Sequence, residues 1–395
     1  MPESGSNSLI LLILRDHLEA VLAALADRFP EPVAVAIRVV IFKMLRCGTA
    51  EGGFCRYRCA TCSATHTLYF RCKSRFCPIC GIAQAAKAAS EAQSRLLNVE
   101  HQHLTFSVPS ELRPFLFADR SLLRTVAKAA ATTTIHAMGT RCRAHAPLPG
   151  VMATVHTYGR ALDWHVHVHV LVTRGGLRSD NVWQPIKLYP AKQYRRLWQY
   201  YLLKLLRQRL KGNRSACWHI GRLHNKYRTG FIVNVMSHYR NGNKAAAYCC
   251  RYTGRPPLSE RRIVAYDGLS VTLAYQDYRD GQDKTLTLSA VEFLLRLLQH
   301  VWPRYQRSVF YFGLYQPARR RKNIEAVAQA SSFKDQIRPK GLSAKQLLTI
   351  AMSKLHTSCP ACGSIEYYID QIRLPERANV QTKAKAKPEQ LSLRM

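Results

Sequence analysis

Acid is what this sequence is short of. In 395 residues, 24 Asp and Glu stand against 59 Lys and Arg, a formal net charge of +35. A folded surface that basic repels itself unless a polyanion screens it, so nucleic acid is the expected partner. Charge alone leaves a ribosome-like RNA binder open. Long hydrophobic runs are also missing. No window approaches the ~20 apolar residues of a membrane span. The run Leu9 to Leu14 stops at Arg15 and Asp16 and reads as the start of an amphipathic helix, not of a secretory signal. Neither a basic amphipathic membrane helix nor a lipidation signal is found, so no membrane partner is expected. The expected location is the bacterial cytoplasm, with the nucleoid. Disulfide-like spacing is missing too: seven of 13 cysteines crowd between Cys47 and Cys80. In a reducing interior such crowding means zinc. What is present, 47% hydrophobic and 9% aromatic residues, suits a folded chain. Its length exceeds one average domain.

Apolar spacing predicts helices over 8–27 and 32–46, broken by Pro30 and Pro32. An Ala-rich helix is expected from Ile82 to Leu97, a strand over 101–108, and a helix over 117–140. Two β-rich runs, Val151–Thr157 and Trp164–Thr173, read as a hairpin. Further expectations are a basic helix over 191–211, strands near 229–236 and over 262–277, and helices over 244–253 and 287–302. The pattern is α+β. Four regions are expected: N-terminal helices (1–46), a zinc-binding domain (47–96), a main domain (97–318), and a basic C-terminal region (319–395) ending in a polar tail.

Cys59-x-x-Cys62 and Cys77-x-x-Cys80 are knuckles, each able to give two thiolates to a tetrahedral ion. Cys47, Cys55, Cys72 and His66 add four potential ligands, so eight groups suffice for one or two structural zinc ions. Cys359 and Cys362 alone supply half a site, with His356 a possible helper. Arg71, Lys73 and Arg75 alternate with the ligands and are candidate phosphate contacts.

His165-Val166-His167-Val168-His169-Val170 is the most informative stretch. In a strand the three histidines share one face and the valines the other. Solvent faces favour Lys, Glu or Thr, so metal binding outweighs a merely wetted face. Imidazoles on a rigid sheet leave coordination positions open for a phosphate oxygen. The third ligand is either His165 or His156 across the hairpin. In the predicted helix 244–253, Tyr248 and Tyr252 stand at i and i+4 on one face. A phenol with pKa about 10 needs a cation or base to become a nucleophile, and Lys244 and Arg251 lie on the same element.

In order, the chain reads Cys72-Lys73-x-Arg75-x-Cys77-Pro78-x-Cys80, then His165-x-His167-x-His169-Val-Leu-Val-Thr173, then Tyr248-x-x-Arg251-Tyr252-x-x-Arg255-Pro256-Pro257. This combination resembles the rolling-circle insertion-sequence transposases of the IS91 type, HUH-superfamily proteins with two active tyrosines. The segment Arg262–Gly268, the helix from Glu292 to Trp302, and Phe312-Gly313-Leu314 extend the similarity over roughly residues 40–315. The resemblance implies an HUH nuclease fold, a central antiparallel sheet flanked by helices, behind a small zinc-binding domain. His167 and His169 match its histidine pair; Tyr248 and Tyr252 match its nucleophiles. Relatives often carry histidine where Cys55 stands, which preserves a ligand, and some use one tyrosine.

The implied chemistry is nicking and rejoining of single-stranded DNA, at element ends and target, through a 5′-phosphotyrosine. Mg2+ or Mn2+ is the implied catalytic ion, with Lys244, Arg251 and Arg255 as further DNA contacts. A plasmid or phage replication initiator, or a relaxase, would use the same parts. A non-catalytic zinc-dependent DNA-binding protein is the alternative from another class.

Overall fold

The computed structural model describes residues 8–139, 146–186, 190–240, 257–277, 280–330, 359–364 and 366–375. Tyr248, Tyr252, Lys244, Arg251 and Arg255, and the helix expected over 244–253, lie outside the described residues, as does His356.

The valine–histidine alternation sets the central layer. Strands β3 (His101–Ser107), β4 (Leu148–Tyr158), β5 (Trp164–Leu177), β7 (Val233–Tyr239) and β11 (Val309–Gly313) form an antiparallel sheet in the order β11-β4-β5-β3-β7. The short β6 (Trp183–Pro185) pairs with the far end of β5. Val166, Val168, Val170 and Val172 are fully buried on one face. They pack with Leu104, Phe106 and Val155 under α6 (Leu122–Gly139) and α7 (Ala191–Arg209). Each such side chain stabilises by about 1.5–3 kcal/mol on burial. A one-residue slip would send all four to the other face, so the register is strongly specified. The expected hairpin is present. At its turn Gly159 N–H donates to Asp163 O at 3.1 Å, and a Cβ on Gly159 would meet the Asp163 carboxylate at 2.1 Å. A larger residue there would have to push the Asp163 carboxylate aside.

The opposite face is divided. One end is covered by Leu96, Leu97 and Val99, behind α4 (Pro78–Gln93), and by Val327 of α10 (Arg320–Ala330), packed on Met152 and Leu171. The other end carries the histidines. Around this layer, α1 (Leu9–Asp16), α2 (Leu18–Arg28) and α3 (Glu31–Leu45) share a second core with α9 (Ala290–Leu298). That core includes a small antiparallel sheet of β8 (Ile263–Tyr266), β9 (Ser270–Gln276) and β10 (Asp283–Ser289). The fold is α+β, its antiparallel sheet flanked by helices in agreement with an HUH nuclease.

The helix expected over 117–140 is two, α5 (Arg113–Ala118) and α6, parted where Asp119 turns extended (φ −121°, ψ 98°). An additional helix, α8 (Arg214–Lys226), covers the Phe231 end of the core. The cysteine-rich block forms β1 (Phe54–Cys59) and β2 (Thr65–Tyr69), joined by β12 (Tyr367–Arg373) from near the other end of the chain. Among the described residues, no helix is long and apolar enough to cross a membrane.

Candidate metal centres

The register of β4 and β5 sets His156 directly opposite His167 and Thr154 opposite His169. Opposed Cβ atoms on neighbouring strands are about 5 Å apart, closer than i, i+2 neighbours along one strand. One ring nitrogen each from His156, His167 and His169 therefore falls within 4.8 Å of the other two. His165 stands outside this set. Of the two candidates for a third ligand, the geometry gathers His156.

Two contacts orient the rings. His167 Nδ1 lies 3.1 Å from the His165 carbonyl oxygen, an acceptor, so the Nδ1–H donates and the lone pair stays on Nε2. His169 Nδ1 is held 2.8 Å from His103 Nε2 on β3, and Thr105 Oγ1 is 3.4 Å away. Such supporting partners set ring orientation and ligand basicity. Sequence reasoning missed His103. The signal was the same alternation, His101-x-His103, in a strand already expected there. Burial drives His103 and His167 down to about 4. Burial first, and neighbouring imidazoles second, push His156 and His169 well below the usual range. At neutral pH the set is uncharged, as metal ligation requires.

A shallow pocket opens beside His156, lined by Arg75, Tyr158, Pro257, His300 and Trp302. Arg75 arrives from the cysteine-rich block. Its guanidinium donates to Ser308 Oγ at 3.4 Å and lies over Phe76 (5.1 Å) and Trp302 (5.7 Å). Burial lowers it to about 10, still a cation at neutral pH. Arg71 and Lys73, in contrast, are exposed.

Eight of the ten described cysteines sort into two sets of four. Cys47, Cys72, Cys77 and Cys80 bring their sulfurs within 4.8 Å of one another, with Cys47–Cys80 at 3.5 Å and Cys72–Cys80 at 3.7 Å. Hydrogen bonds among them, Cys72 to Cys47 foremost, push Cys47 down and Cys72 up, a crowding that one dication would neutralise. This set lies at the start of α4 and joins the second core. Cys59 and Cys62 meet Cys359 and Cys362 instead. The two knuckles therefore serve different centres. Cys55 belongs to neither; it lies beside Tyr57, whose hydroxyl it raises through a hydrogen bond. His66 Nε2 is 3.6 Å from Cys359 Sγ but outside the four-sulfur set, its ring edge-on to Tyr367.

A net charge of +35, two four-cysteine sets and a three-histidine set on an antiparallel sheet suit a protein that works on nucleic acid. Residues 13–108 match the family model described as "Transposase zinc-binding domain", and residues 150–323 the one described as "Putative transposase". The transposase for insertion sequence element IS801 of Pseudomonas savastanoi pv. phaseolicola is 31% identical over 296 residues, 69% of this chain and 68% of the relative. The chain belongs to the IS91-type insertion-sequence transposases, with an N-terminal zinc-binding domain. "Putative transposase y4qJ" of Sinorhizobium fredii is 25% identical over 297 residues, 71% of this chain and 75% of its own length. No solved structure matches the chain. A transposase acts on DNA, and a net charge of +35 suits that polyanion.

Proposed function

We propose that this transposase nicks and rejoins single-stranded DNA through a 5′-phosphotyrosine, with a divalent cation held by His156, His167 and His169. The observation that carries the reading is the set of three neutral imidazoles converging on one rigid sheet face. A three-nitrogen set leaves positions open, so the residues fit a catalytic ion better than a closed structural one. When bound, such a cation polarises a non-bridging phosphate oxygen. An all-imidazole set is softer than magnesium prefers, so manganese should support cleavage at lower concentration.

The chain's own groups do the rest. His103 and the His165 carbonyl keep the ligand nitrogens aimed. The Arg75 guanidinium, in the pocket beside His156, offers positive charge to DNA phosphate. Tyr248 or Tyr252 attacks phosphorus as the tyrosinate, and the 3′ oxygen leaves with the electron pair and takes a proton. Pro257, five residues after Tyr252, lines the same pocket as His156, and five extended residues reach at most about 17 Å. The bond energy is conserved, so a 3′-OH can reverse the attack without ATP.

Labelled single strands of the element ends, run on denaturing gels, test this. Wild-type protein should yield a denaturation-resistant 5′ adduct. Tyr248→Phe and Tyr252→Phe should each retain some adduct, and the double variant none. An adduct persisting in the double variant would remove both residues from the reaction.

A further inference from the structure

Cys59 ends β1 and enters a tight turn, Ala60-Thr61-Cys62-Ser63; Cys359 opens a matching turn, Pro360-Ala361-Cys362-Gly363. The two are near copies in hydrogen bonding. In the first, Cys59 N–H donates to Ala64 O (2.9 Å) and Ser63 N–H to Cys59 O (3.1 Å). In the second, Cys359 N–H donates to Ser364 O and Gly363 N–H to Cys359 O, both at 2.7 Å. The residue after the second cysteine is left-handed in each, Ser63 at φ 59° and Gly363 at φ 75°. The sulfur of Cys59 accepts backbone N–H bonds from Thr61 and Cys62, that of Cys359 from Ala361 and Cys362. Amide donors arranged this way favour thiolates, the form that binds metal.

The knuckles face each other. Cys59 Sγ is 3.6 Å from Cys362 Sγ, and Cys62 Sγ is 3.6 Å from Cys359 Sγ, with all four sulfurs inside 4.8 Å. A tetrahedral ion with metal–sulfur bonds of about 2.3 Å separates its sulfurs by about 3.8 Å; a disulfide needs about 2.05 Å. The approach is secured by backbone pairing. β12 runs antiparallel to β1 from Cys59↔Tyr367 to Phe54↔Arg373, Ala60 N–H donates to Glu366 O at 3.1 Å, and Arg58 pairs with Asp370 at 3.0 Å. Cys359 and Cys362 lie beyond both family-model matches, which end at 108 and 323.

We propose that Cys59, Cys62, Cys359 and Cys362 bind a zinc ion, separate from that of the Cys47 set, in a composite site that ties the C-terminal segment to the N-terminal zinc module. The zinc-binding domain is then incomplete within its own stretch of chain. Ligands 297 and 303 residues apart also close a very long loop, which restricts the unfolded chain.

Elemental analysis of the full-length protein tests this without any DNA reaction. The double variant C359S/C362S should hold one zinc fewer per chain than wild type, while Cys217→Ser, a cysteine outside both sets, should change nothing. In cobalt-substituted protein the thiolate-to-cobalt charge-transfer band should fall by about half in the double variant. Should that variant fail to fold, Cys362→His keeps a donor at the position. It should retain the ion, with a cobalt spectrum altered by the loss of one sulfur. Equal zinc in wild type and C359S/C362S, an unchanged cobalt spectrum in Cys362→His, or four thiols lost to disulfides in unreduced protein would each overturn the site.

Discussion

The histidine centre and the cysteine centres are both sets of metal-capable side chains, built in opposite ways. His156, His167 and His169 come from one hairpin, whose register and valine core hold them whether or not an ion is bound. The cysteines come from turns and segment ends: Cys47 after α3, Cys72 in a loop, Cys77 and Cys80 at the start of α4, Cys59 and Cys62 across from Cys359 and Cys362. A centre meant to act on a phosphate must be organised beforehand and left open. A centre meant to hold segments together can leave that work to the ion. Removing the ion should therefore silence the first and loosen the second.

The largest expected effect falls on the cysteine side. Cys77→Ser should cost the chain one zinc and make the N-terminal module unfold ahead of the central sheet. Zinc binding to isolated fingers is worth about 10–16 kcal/mol, which bounds the loss from above. Calorimetry with metal analysis checks it; an unchanged zinc content and a single unshifted transition would erase the contrast. Next, His169→Ala should lower DNA cleavage by about 1,000-fold, the several kcal/mol that a polarising cation supplies. Zinc content and DNA retention should hardly change. Undiminished cleavage would mean that the histidine face is not the reacting centre.

Acid should bear on the histidine side in a predictable direction. His103 and His167 titrate near 4 in the fold because burial disfavours the cation, against 6.5 in an unfolded chain. Between those values the unfolded chain binds more protons. Stability is thus fully present above about pH 6.5 and is lost as pH falls towards 4. For His103 the shift corresponds to roughly 3 kcal/mol at most. Denaturant titrations of wild type and His103→Phe from pH 7 to 5 isolate that part, since both lose zinc alike; equal slopes would contradict it. The smallest effect is expected outside the sulfur sets. Cys55→Ser and His66→Ala should leave the zinc count intact and move stability by about 1 kcal/mol. A lost zinc in either variant would redraw the ligand assignment.

Local patterns reached a long way here. The alternation of histidine with valine was enough to expect a strand with a metal-capable face, because side chains in a strand alternate whatever the neighbours are. The helices over 32–46 and 191–211 followed from apolar spacing in the same way, as did the helical stretch 8–27, which the structure divides at His17, and the zinc module followed from its knuckles. The sequence left His165 and His156 equal as third ligand. Only the pairing of β4 with β5 separated them, since distance across a sheet depends on register and not on spacing along the chain. Partnership among the cysteines lay further out of reach. Nothing near Cys59 and Cys62 indicates that their counterparts stand at 359 and 362, and β12 meets β1 only through long-range backbone pairing. The sequence by itself determined which residues can ligate and which faces they share. Tertiary structure decided which of them meet, because proximity between distant segments is a property of the packed chain and of no single stretch of it.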